Sequence, residues 1–419
     1  MAITVKPGRP SHCVWELTLK CNMRCKHCGS YAGKDRVGEM TLEQLLDVAD
    51  QLADIGVKRI TLSGGEPLLR ENWDQIAQRL IERGVRVGMI SNGYFMTDNI
   101  DKLVRLKALK APGCLEVVAM SVDGLRETHD DFRRVPGSWD RIKAGYKALH
   151  EAGIYTAAIT SVSNNNIKEL DEMLKMFMSW KVNAWQLQTL FGGGRMREFP
   201  ELMPGPAGVE TVARFIAQTR LNRYPILVFP ADCLGFCTEL DPFILEGPWQ
   251  GCQAGITALG IEANGNVKGC LSLCPELQEN NPFVEGNLHE EKLIDIWNKP
   301  GAFAYNREFE PSKAEGFCAT CRHLERCRCG CSAQAYFATG TVNNNPYCML
   351  AERDRKAKEL RAQAEELRCK AASLEKQARQ VLHPERPYPQ RIVRNRVTPG
   401  RRASVASILN SRFFNGKRS

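Results

Sequence analysis

The sequence lacks long hydrophobic runs, and this absence argues against a membrane-spanning protein. No apolar stretch in its 419 residues approaches the roughly 18 consecutive residues that a transmembrane helix needs. The N-terminus also lacks the apolar core of a secretory signal, so we expect a cytoplasmic protein. Most of the net charge of +9 comes from residues 383–419, which hold nine basic residues and one acidic residue. The nearly neutral remainder gives no support to nucleic-acid binding.

Cysteine, by contrast, is abundant, with 17 residues. In a chain of this length without an export signal, so many cysteines indicate metal or redox chemistry more than a disulfide framework. The number is also odd, so these cysteines cannot all pair with one another. We interpret Cys13, Cys114 and Cys369 as ordinary core or surface thiols. Most of the others fall into two groups with the spacing of metal ligands.

Short β-branched runs alternate with segments of helical period between residue 13 and about residue 224. The predicted strands are residues 13–19, 57–63, 85–91, 115–122, 155–162 and 182–190. The predicted helices are residues 41–55, 71–83, 98–109, 138–151, 167–180 and 205–221. Six βα units in series predict an α/β fold, a partial (β/α)6 barrel of the TIM type that is two units short of closure. Reactive groups in such folds lie at the C-terminal ends of the strands.

We predict four regions along the chain. They are the partial barrel at residues 1–228, a cysteine-rich domain at 229–349, a long helix at 350–382 and a basic, disordered tail at 383–419. The second region has too little apolar periodicity for a large core, so metal is expected to supply much of its stability.

The predicted long helix carries a heptad seam. Its apolar members are Leu360, Leu367, Leu374 and Val381, spaced seven residues apart. Such a seam either packs on the chain's own barrel or mediates dimerisation or docking of a partner helix. The sequence leaves these alternatives open.

Three cysteines directly follow the first predicted strand. Cys21, Cys25 and Cys28 can wrap one inorganic core from a single loop. Three ligands suit a four-iron cluster that leaves one iron open for a small molecule. The alternative is a zinc site with a fourth ligand from elsewhere, for instance His27.

Short motifs end the next three strands in the same order as in a known family. They are Gly64-Gly65-Glu66-Pro67, Ser91-Asn92-Gly93 and Ser121-Val122-Asp123-Gly124. With the cysteine triplet in front of them, they resemble the radical S-adenosylmethionine (SAM) enzymes. The resemblance implies that Gly64–Pro67 meet the methionine amino group, that Ser91 and Asn92 contact the ribose, and that Ser121 and Asp123 form the next cofactor-side element.

The resemblance also implies the chemistry. A four-iron cluster on Cys21, Cys25 and Cys28 would chelate S-adenosylmethionine, and one electron would cleave its sulfonium bond. The 5′-deoxyadenosyl radical would then abstract hydrogen from a substrate while the protein positions that substrate and excludes water.

A second group of cysteines has the most specific spacing in the chain. Its members are Cys252, Cys270, Cys318, Cys321, Cys327, Cys331 and Cys348. This pattern resembles the SPASM domain, which follows a radical SAM barrel and holds two auxiliary four-iron clusters. By that resemblance, the distal cluster is ligated by Cys318, Cys321, Cys327 and Cys348. The nearer cluster is ligated by Cys252, Cys270 and Cys331. A pair of zinc ribbons is the alternative.

The nearer cluster lacks an obvious fourth ligand. Some relatives have a cysteine six residues before the first, where this chain has Glu246. We favour Cys237 as the replacement, with Cys233 or an open iron that binds substrate as the alternatives. Cys274 and Cys329 lie among the ligands without matching the pattern, and each is either a buried spectator or a hydrogen donor to a substrate radical.

Residues 192–194 are three glycines that follow the sixth strand, and Arg195 comes next. Glycines allow the backbone to approach a ligand closely, and the arginine could hold a carboxylate of S-adenosylmethionine or of a peptide. Asp123 is a candidate proton acceptor or a structural group. His12, His27 and His129 are scattered, and we assign no catalytic role to them.

The resemblance implies a peptide-modifying enzyme, of the type that matures ribosomally made peptides by cross-linking, epimerisation or oxidation. A cofactor precursor, or a protein such as a sulfatase, is the alternative substrate. Only twenty residues precede Cys21, so we expect leader recognition by a separate protein, by the long helix or by the basic tail. We also expect an electron donor such as flavodoxin or ferredoxin and a reducing cytoplasm.

Overall fold

A computed structural model describes residues 3–231, 233–274 and 281–382. Residues 1–358 form one compact unit, and the described residues from 359 onward belong to a second. The basic tail at 383–419 lies outside the described residues, so its predicted disorder stays a prediction. The four predicted region boundaries likewise stay predictions.

Twelve strands are described, and ten of them form one sheet. The strands are β1 (Ile3–Thr4), β2 (His12–Glu16), β3 (Arg59–Ser63), β4 (Arg86–Ser91), β5 (Cys114–Ser121), β6 (Thr156–Val162), β7 (Ala184–Thr189), β8 (Leu227–Pro230), β9 (Ala258–Ile261), β10 (Asn266–Lys268), β11 (Gly286–Asn287) and β12 (Glu308–Phe309). The order across the large sheet is β11-β10-β9-β2-β3-β4-β5-β6-β7-β8. Neighbours from β9 through β2 to β8 are parallel, whereas β9, β10 and β11 pair antiparallel.

Thirteen α-helices lie within the described residues. They are α1 (Leu42–Asp54), α2 (Trp73–Glu82), α3 (Ile100–Lys107), α4 (Arg126–Arg133), α5 (Ser138–Glu151), α6 (Leu170–Ser179), α7 (Gly205–Leu221), α8 (Asp241–Ile244), α9 (Leu293–Asn298), α10 (Ala304–Arg307), α11 (Leu324–Cys327), α12 (Ser332–Thr339) and α13 (Met349–Leu382). The first shows why these segments fold as they do. Thr41 and Gln44 form a capping box at the start of α1, and its apolar residues recur on one buried face.

The predicted α/β fold is confirmed. Each of the six predicted strands overlaps one of β2 to β7, and the sheet stays open between its edges, β11 and β8. The sequence analysis missed β8, the seventh strand of the parallel series that begins with β2, and it also missed helix α4. It also missed that β9, from the cysteine-rich region, pairs in parallel with β2. The barrel and the cysteine-rich region therefore share one sheet.

Helix α13 is 34 residues long. Its heptad residues Leu360, Leu367, Leu374 and Val381 are each at least 64% exposed. Whether this seam packs on the chain's own barrel or on a partner stays a prediction. None of the helices in the described part of the chain is long and apolar enough to cross a membrane.

Candidate functional site

The three cysteines of the first group lie in the loop after β2, and each sulfur accepts an N–H hydrogen bond. The Met23 backbone donates to Cys21 Sγ at 3.4 Å and the Ala32 backbone to Cys28 Sγ at 3.3 Å. The third donor is the Arg133 guanidinium, whose Nη1 lies 3.7 Å from Cys25 Sγ. Donors aimed at sulfur stabilise the thiolate form that a metal cluster needs.

The surroundings of this loop test whether a cluster fits. Burial raises the pKa of Cys21 to about 12 and also raises that of Cys25, so neither thiol ionises readily without a metal nearby. Arg133 Nε and His27 Nδ1 are buried and have no hydrogen-bond partner within the described ranges. Thiols, N–H donors and unpartnered buried nitrogens together suit a ligand rich in sulfur and negative charge.

The end of β3 packs backbone to backbone against this loop, and only glycine fits there. A Cβ on Gly64 would lie 2.4 Å from the Thr18 carbonyl oxygen, and one on Gly65 would lie 2.4 Å from the carbonyl oxygens of Leu19 and Lys20. The φ angle of Gly64, +153°, also lies in the region that favours glycine. The two glycines thereby place the next residue, Glu66, beside the cysteine loop.

The Glu66 carboxylate is fully buried and joins two strand ends. It accepts hydrogen bonds from Ser91 Oγ at 2.8 Å, the Asn92 backbone at 2.7 Å and the Leu68 backbone at 3.1 Å. Burial raises its pKa to about 7 in spite of these donors. The Asn92 side chain in turn donates to Asn22 Oδ1 at 2.8 Å, inside the cysteine loop. The motifs after β3 and β4 therefore converge on the cysteine triplet. Between them they contribute Gly64, Gly65, Glu66, Pro67, Ser91 and Asn92.

The motif that ends β5 leads into a buried ion pair. Ser121 is the last residue of the strand, and the carboxylate of Asp123, which is not exposed at all, lies 2.6 Å from Arg133 Nη2. Burial alone would raise the pKa of Asp123, but the positive charge of Arg133 holds it below its usual value. Because this carboxylate is committed to Arg133 and to the Ser161 backbone N–H at 2.8 Å, the structure favours its structural role over that of a proton acceptor.

Two histidines to which we assigned no catalytic role belong to the same network. His27 Nε2 lies 3.5 Å from Asp123 Oδ2, and His129 Nδ1 accepts from the Asp123 backbone at 3.1 Å. Burial lowers the pKa of His27 to about 3 and that of His129 to about 4, so both are neutral. The sequence analysis missed Arg133 altogether. The available signal was the spacing of His129 and Arg133, which puts them on one face of α4.

Arg195 has different contacts from those we predicted. Its Nε donates to the Cys25 carbonyl at 3.0 Å, and its Nη2 donates to the Ala32 carbonyl at 3.1 Å. Gly194, with φ of +56°, lies so close to the loop that a Cβ would be 2.2 Å from the Cys28 carbonyl oxygen. Arg195 therefore clamps the backbone of the cysteine loop, and two of its donors are not available to a carboxylate.

The second group of cysteines occupies two places in the structure. At the first, a small cavity of about 20 Å³ is lined mainly by cysteine and phenylalanine side chains. The cysteines that line it are Cys318, Cys321, Cys327, Cys329 and Cys348. Four of them are the predicted distal ligands. The fifth, Cys329, donates from its thiol to the Asn343 carbonyl at 3.1 Å.

The second place brings together Cys252, Cys270 and Cys331. Burial raises the pKa of Cys331, and so does the proximity of Cys252, Cys233 and Cys270, because their thiolates would repel a second negative charge. The Tyr305 hydroxyl, close enough to interact with Cys252 and Cys270, is buried without a hydrogen-bond partner among the residues described. An unpartnered hydroxyl donor beside several thiols fits a cluster whose sulfides accept hydrogen bonds.

Cys237 does not lie where we expected. Its thiol is hydrogen-bonded to Cys327, a predicted distal ligand, and this contact lowers its pKa to about 6. It packs in a small cluster with Phe236, Cys327 and Cys348. The structure thus places Cys237 at the distal site and Cys233 beside the nearer cysteines.

No three His, Cys, Asp or Glu side chains in the described ranges are grouped as the ligands of a single metal ion would be. A four-iron cluster spreads its ligands around a cube of iron and sulfide, so its thiols surround a larger volume.

Comparisons with known proteins agree with this geometry. Residues 15–177 match the model of the Radical SAM superfamily, and residues 252–322 match that of an iron-sulfur cluster-binding domain, SPASM. An AdoMet-dependent heme synthase of Methanosarcina barkeri is 29% identical over 81% of this chain and 96% of its own length. The mycofactocin maturase MftC of Mycobacterium tuberculosis is 27% identical over 79% of this chain and 80% of its own.

Two solved structures share the fold. SuiB of Streptococcus suis bound to S-adenosylmethionine has a TM-score of 0.63 at 16% identity, covering 80% of this chain and 76% of that one. The protein anSMEcpe with bound AdoMet has a TM-score of 0.61 at 14% identity, covering 82% of this chain and 95% of that one.

Proposed function

We propose that this chain, which is a radical SAM enzyme with a SPASM domain, modifies a ribosomally made peptide. The observation that carries the proposal is its similarity to a mycofactocin maturase over 79% of the chain. A four-iron cluster held by Cys21, Cys25 and Cys28 would supply the electron that cleaves S-adenosylmethionine to a hydrogen-abstracting radical.

The chain's own residues have distinct roles in this proposal. Cys21, Cys25 and Cys28 hold the cluster that binds S-adenosylmethionine, while Arg195 clamps their loop from the β7 side. Glu66 meets the cofactor's amino group, and Ser91 and Asn92 keep the Glu66 carboxylate in place. The two sets of SPASM cysteines hold auxiliary clusters that carry electrons or position substrate.

A half-buried aromatic pair marks where we place the substrate. The ring of Phe191, after β7, stacks on Phe337 of α12 with centroids 5.7 Å apart. A Cβ on Gly193 would lie 3.3 Å from the Phe337 ring, and the next residue, Gly194, meets the Cys28 carbonyl. The pair therefore lies close to the cysteine loop, and Arg197 lies 5.6 Å from the centre of the Phe337 ring.

Replacing Phe337 with alanine is expected to raise the KM for the peptide about fivefold, because a stacked aromatic contact contributes about 1 kcal/mol. Cleavage of S-adenosylmethionine without peptide should stay near the parent rate. Steady-state kinetics that follow both the modified peptide and 5′-deoxyadenosine measure the KM and the rate of cleavage. Phe243→Ala, which removes an exposed ring in α8, is the control. An unchanged KM in Phe337→Ala would remove the aromatic pair from the substrate site.

The function itself is tested by mass spectrometry of a peptide encoded beside this gene, after anaerobic incubation with cluster-loaded enzyme. A loss of about two hydrogens indicates a cross-link or an oxidation, and solvent deuterium at an α-carbon indicates epimerisation. Enzyme with all three triplet cysteines replaced by alanine is the control. Neighbouring peptides that neither change mass nor gain deuterium would contradict the proposal.

A tetrapyrrole is the second candidate substrate. It is favoured by the 29% identity to an AdoMet-dependent heme synthase, because that match covers 96% of the heme synthase's length. Another relative is named Fe-coproporphyrin III synthase. The two candidates are separated by which compound stimulates release of 5′-deoxyadenosine. The peptide should stimulate it and Fe-coproporphyrin III should not, and the reverse result would favour the tetrapyrrole.

Binding of S-adenosylmethionine is expected to weaken as the pH falls below 7. Glu66 has a raised pKa of about 7, so it becomes neutral below that pH and loses its attraction for an ammonium group. The affinity should approach a tenfold loss per pH unit once the pH is well below 7. Equilibrium binding from pH 8 to pH 5.5 measures this, and Glu66→Gln should bind weakly with a flat profile. A parent profile as flat as that of the variant would exclude Glu66 as the contact.

We also propose a one-electron donor such as flavodoxin or ferredoxin, a separate leader-recognition protein and a reducing cytoplasm as the setting for these oxygen-sensitive clusters. Dimerisation or partner docking through the α13 seam belongs to the same proposal.

A further inference from the structure

The nearer auxiliary cluster has three thiols of the SPASM pattern and needs a fourth ligand or an open iron. Glu246 stands at the position where some relatives have a cysteine. Two cysteines upstream of it, Cys233 and Cys237, are the candidates within reach in sequence. They lie only four residues apart, yet the structure places them at different sites.

Cys237 is turned toward the distal site by the backbone. Phe236 and Cys237 both have positive φ angles, +74° and +68°, which redirect the chain after Cys233. The Cys237 N–H donates to Asp241 Oδ2 at 2.8 Å, which fixes this turn. The thiol then contacts Cys327, so it is committed to the distal group.

Cys233 is anchored at the other end, beside the helix that Cys331 begins. Its carbonyl accepts from Gln334 Nε2 at 3.4 Å, and its thiol accepts from Thr189 Oγ1 at 3.6 Å. The Gln334 amide also donates to Thr189 Oγ1 at 3.3 Å. Gln334 lies in the first turn of α12, and Cys331 is the N-cap residue of the same helix. Cys233 and Cys331 therefore both lie at the N-terminal end of α12.

The burial and the electrostatic contacts of Cys233 also place it with the cysteines of the nearer cluster. Cys233 is 6% exposed, so its thiol does not face bulk water. Cys331 interacts electrostatically with Cys252, Cys233 and Cys270. Together with Cys331, these residues make up the four thiols that a closed cluster needs. The buried hydroxyl of Tyr305 lies near two of these cysteines, Cys252 and Cys270, as a donor without a partner among the described residues.

We propose that Cys233 is the fourth thiolate of the nearer auxiliary cluster, which therefore has no open iron. The inference depends on this cluster being present but not on the substrate being a peptide. A closed cluster has no iron site for a substrate thiolate, so it does not bind substrate through iron. The hydrogen bond from Thr189 to the Cys233 thiol links this ligand to the last residue of β7.

The test uses the full chain with Cys21, Cys25 and Cys28 replaced by alanine, so that only the auxiliary clusters remain. After anaerobic reconstitution it should hold about eight irons. Cyanide binds to an open iron and changes its electron paramagnetic resonance (EPR) spectrum. We expect cyanide to leave the reduced spectrum of this protein unchanged. A cyanide-dependent change would overturn the proposal without requiring any further variant to fold.

Cys233→Ala and Cys237→Ala, each in the same background, form a matched pair. Cys233→Ala should gain a cyanide-sensitive signal and lose about one iron on mild oxidation, whereas Cys237→Ala should do neither. A Cys233→Ala variant that matches its parent, or a Cys237→Ala variant that gains the signal, would overturn the assignment. Because this background cannot cleave S-adenosylmethionine, failure here is distinguishable from failure of the proposed peptide chemistry.

Discussion

Replacing Cys25 with alanine is expected to lower the release of 5′-deoxyadenosine from S-adenosylmethionine at least about 1,000-fold, which corresponds to about 4 kcal/mol in the barrier. The two remaining thiols of the triplet cannot hold a four-iron cluster with one defined open iron. Arg133 would also lose the sulfur to which it donates. Chromatography of the anaerobic reaction with dithionite measures the nucleoside, and iron analysis should show the loss of about four irons per chain.

Cys321→Ala is the matched variant at the distal site. It should keep a substantial fraction of the uncoupled cleavage while product formation falls below detection, because the cluster that binds S-adenosylmethionine is untouched. Cys114→Ala, which removes an exposed thiol, controls for the loss of a cysteine as such. Equal loss of cleavage in Cys25→Ala and Cys321→Ala would contradict this division of labour.

Replacing Arg133 with methionine is expected to destabilise the protein by about 3–5 kcal/mol, because it leaves a buried carboxylate without its positively charged partner. Asp123 is inaccessible to solvent, and its ion pair with Arg133 is 2.6 Å long. The variant loses the cation and keeps the anion, so the desolvation cost of that anion is no longer offset. Anaerobic urea unfolding followed by far-UV circular dichroism measures the change in the free energy of unfolding.

Two further variants separate this cause from a general effect of the substitution. Arg126→Met changes an exposed arginine on the same helix, paired with Asp140, and should have little effect on stability. The double variant Arg133→Met with Asp123→Asn removes both charges and should recover part of the loss. If Arg133→Met were as stable as Arg126→Met, the ion pair would not be what holds α4 against the cysteine loop.

The sequence predicted the sheet well where the signal is local. β-branched runs and helical period mark β2 to β7 and their helices because each of those segments buries its own apolar face. Helix α4 was missed because its sequence, RETHDDFR, is dominated by charged and polar residues, and two of these, His129 and Arg133, are buried. The pairing of β9 with β2 joins residues more than 240 positions apart, and no local pattern encodes it.

The candidate site likewise has features that local spacing predicts and features that it does not. The triplet and the motifs at the strand ends follow from spacing, because the parallel strands bring their C-terminal ends to one edge. The contacts of Arg195 and Cys237 depend on how loops turn. At Phe236 and Cys237 the turn uses positive φ angles that neither residue type signals. A prediction from spacing alone therefore could not distinguish Cys233 from Cys237.

The strand pairings at the start of the chain have a consequence for synthesis on the ribosome. Strand β1 pairs with β12, and β2 has β9 on one side, so both early strands depend on residues made near position 260 or later. Until then, the nascent barrel exposes one edge of β2 next to its cysteine loop, and such an edge invites pairing with other chains. Cells that produce this protein faster than it can complete that edge should accumulate it in inclusion bodies, whatever the supply of iron and sulfide.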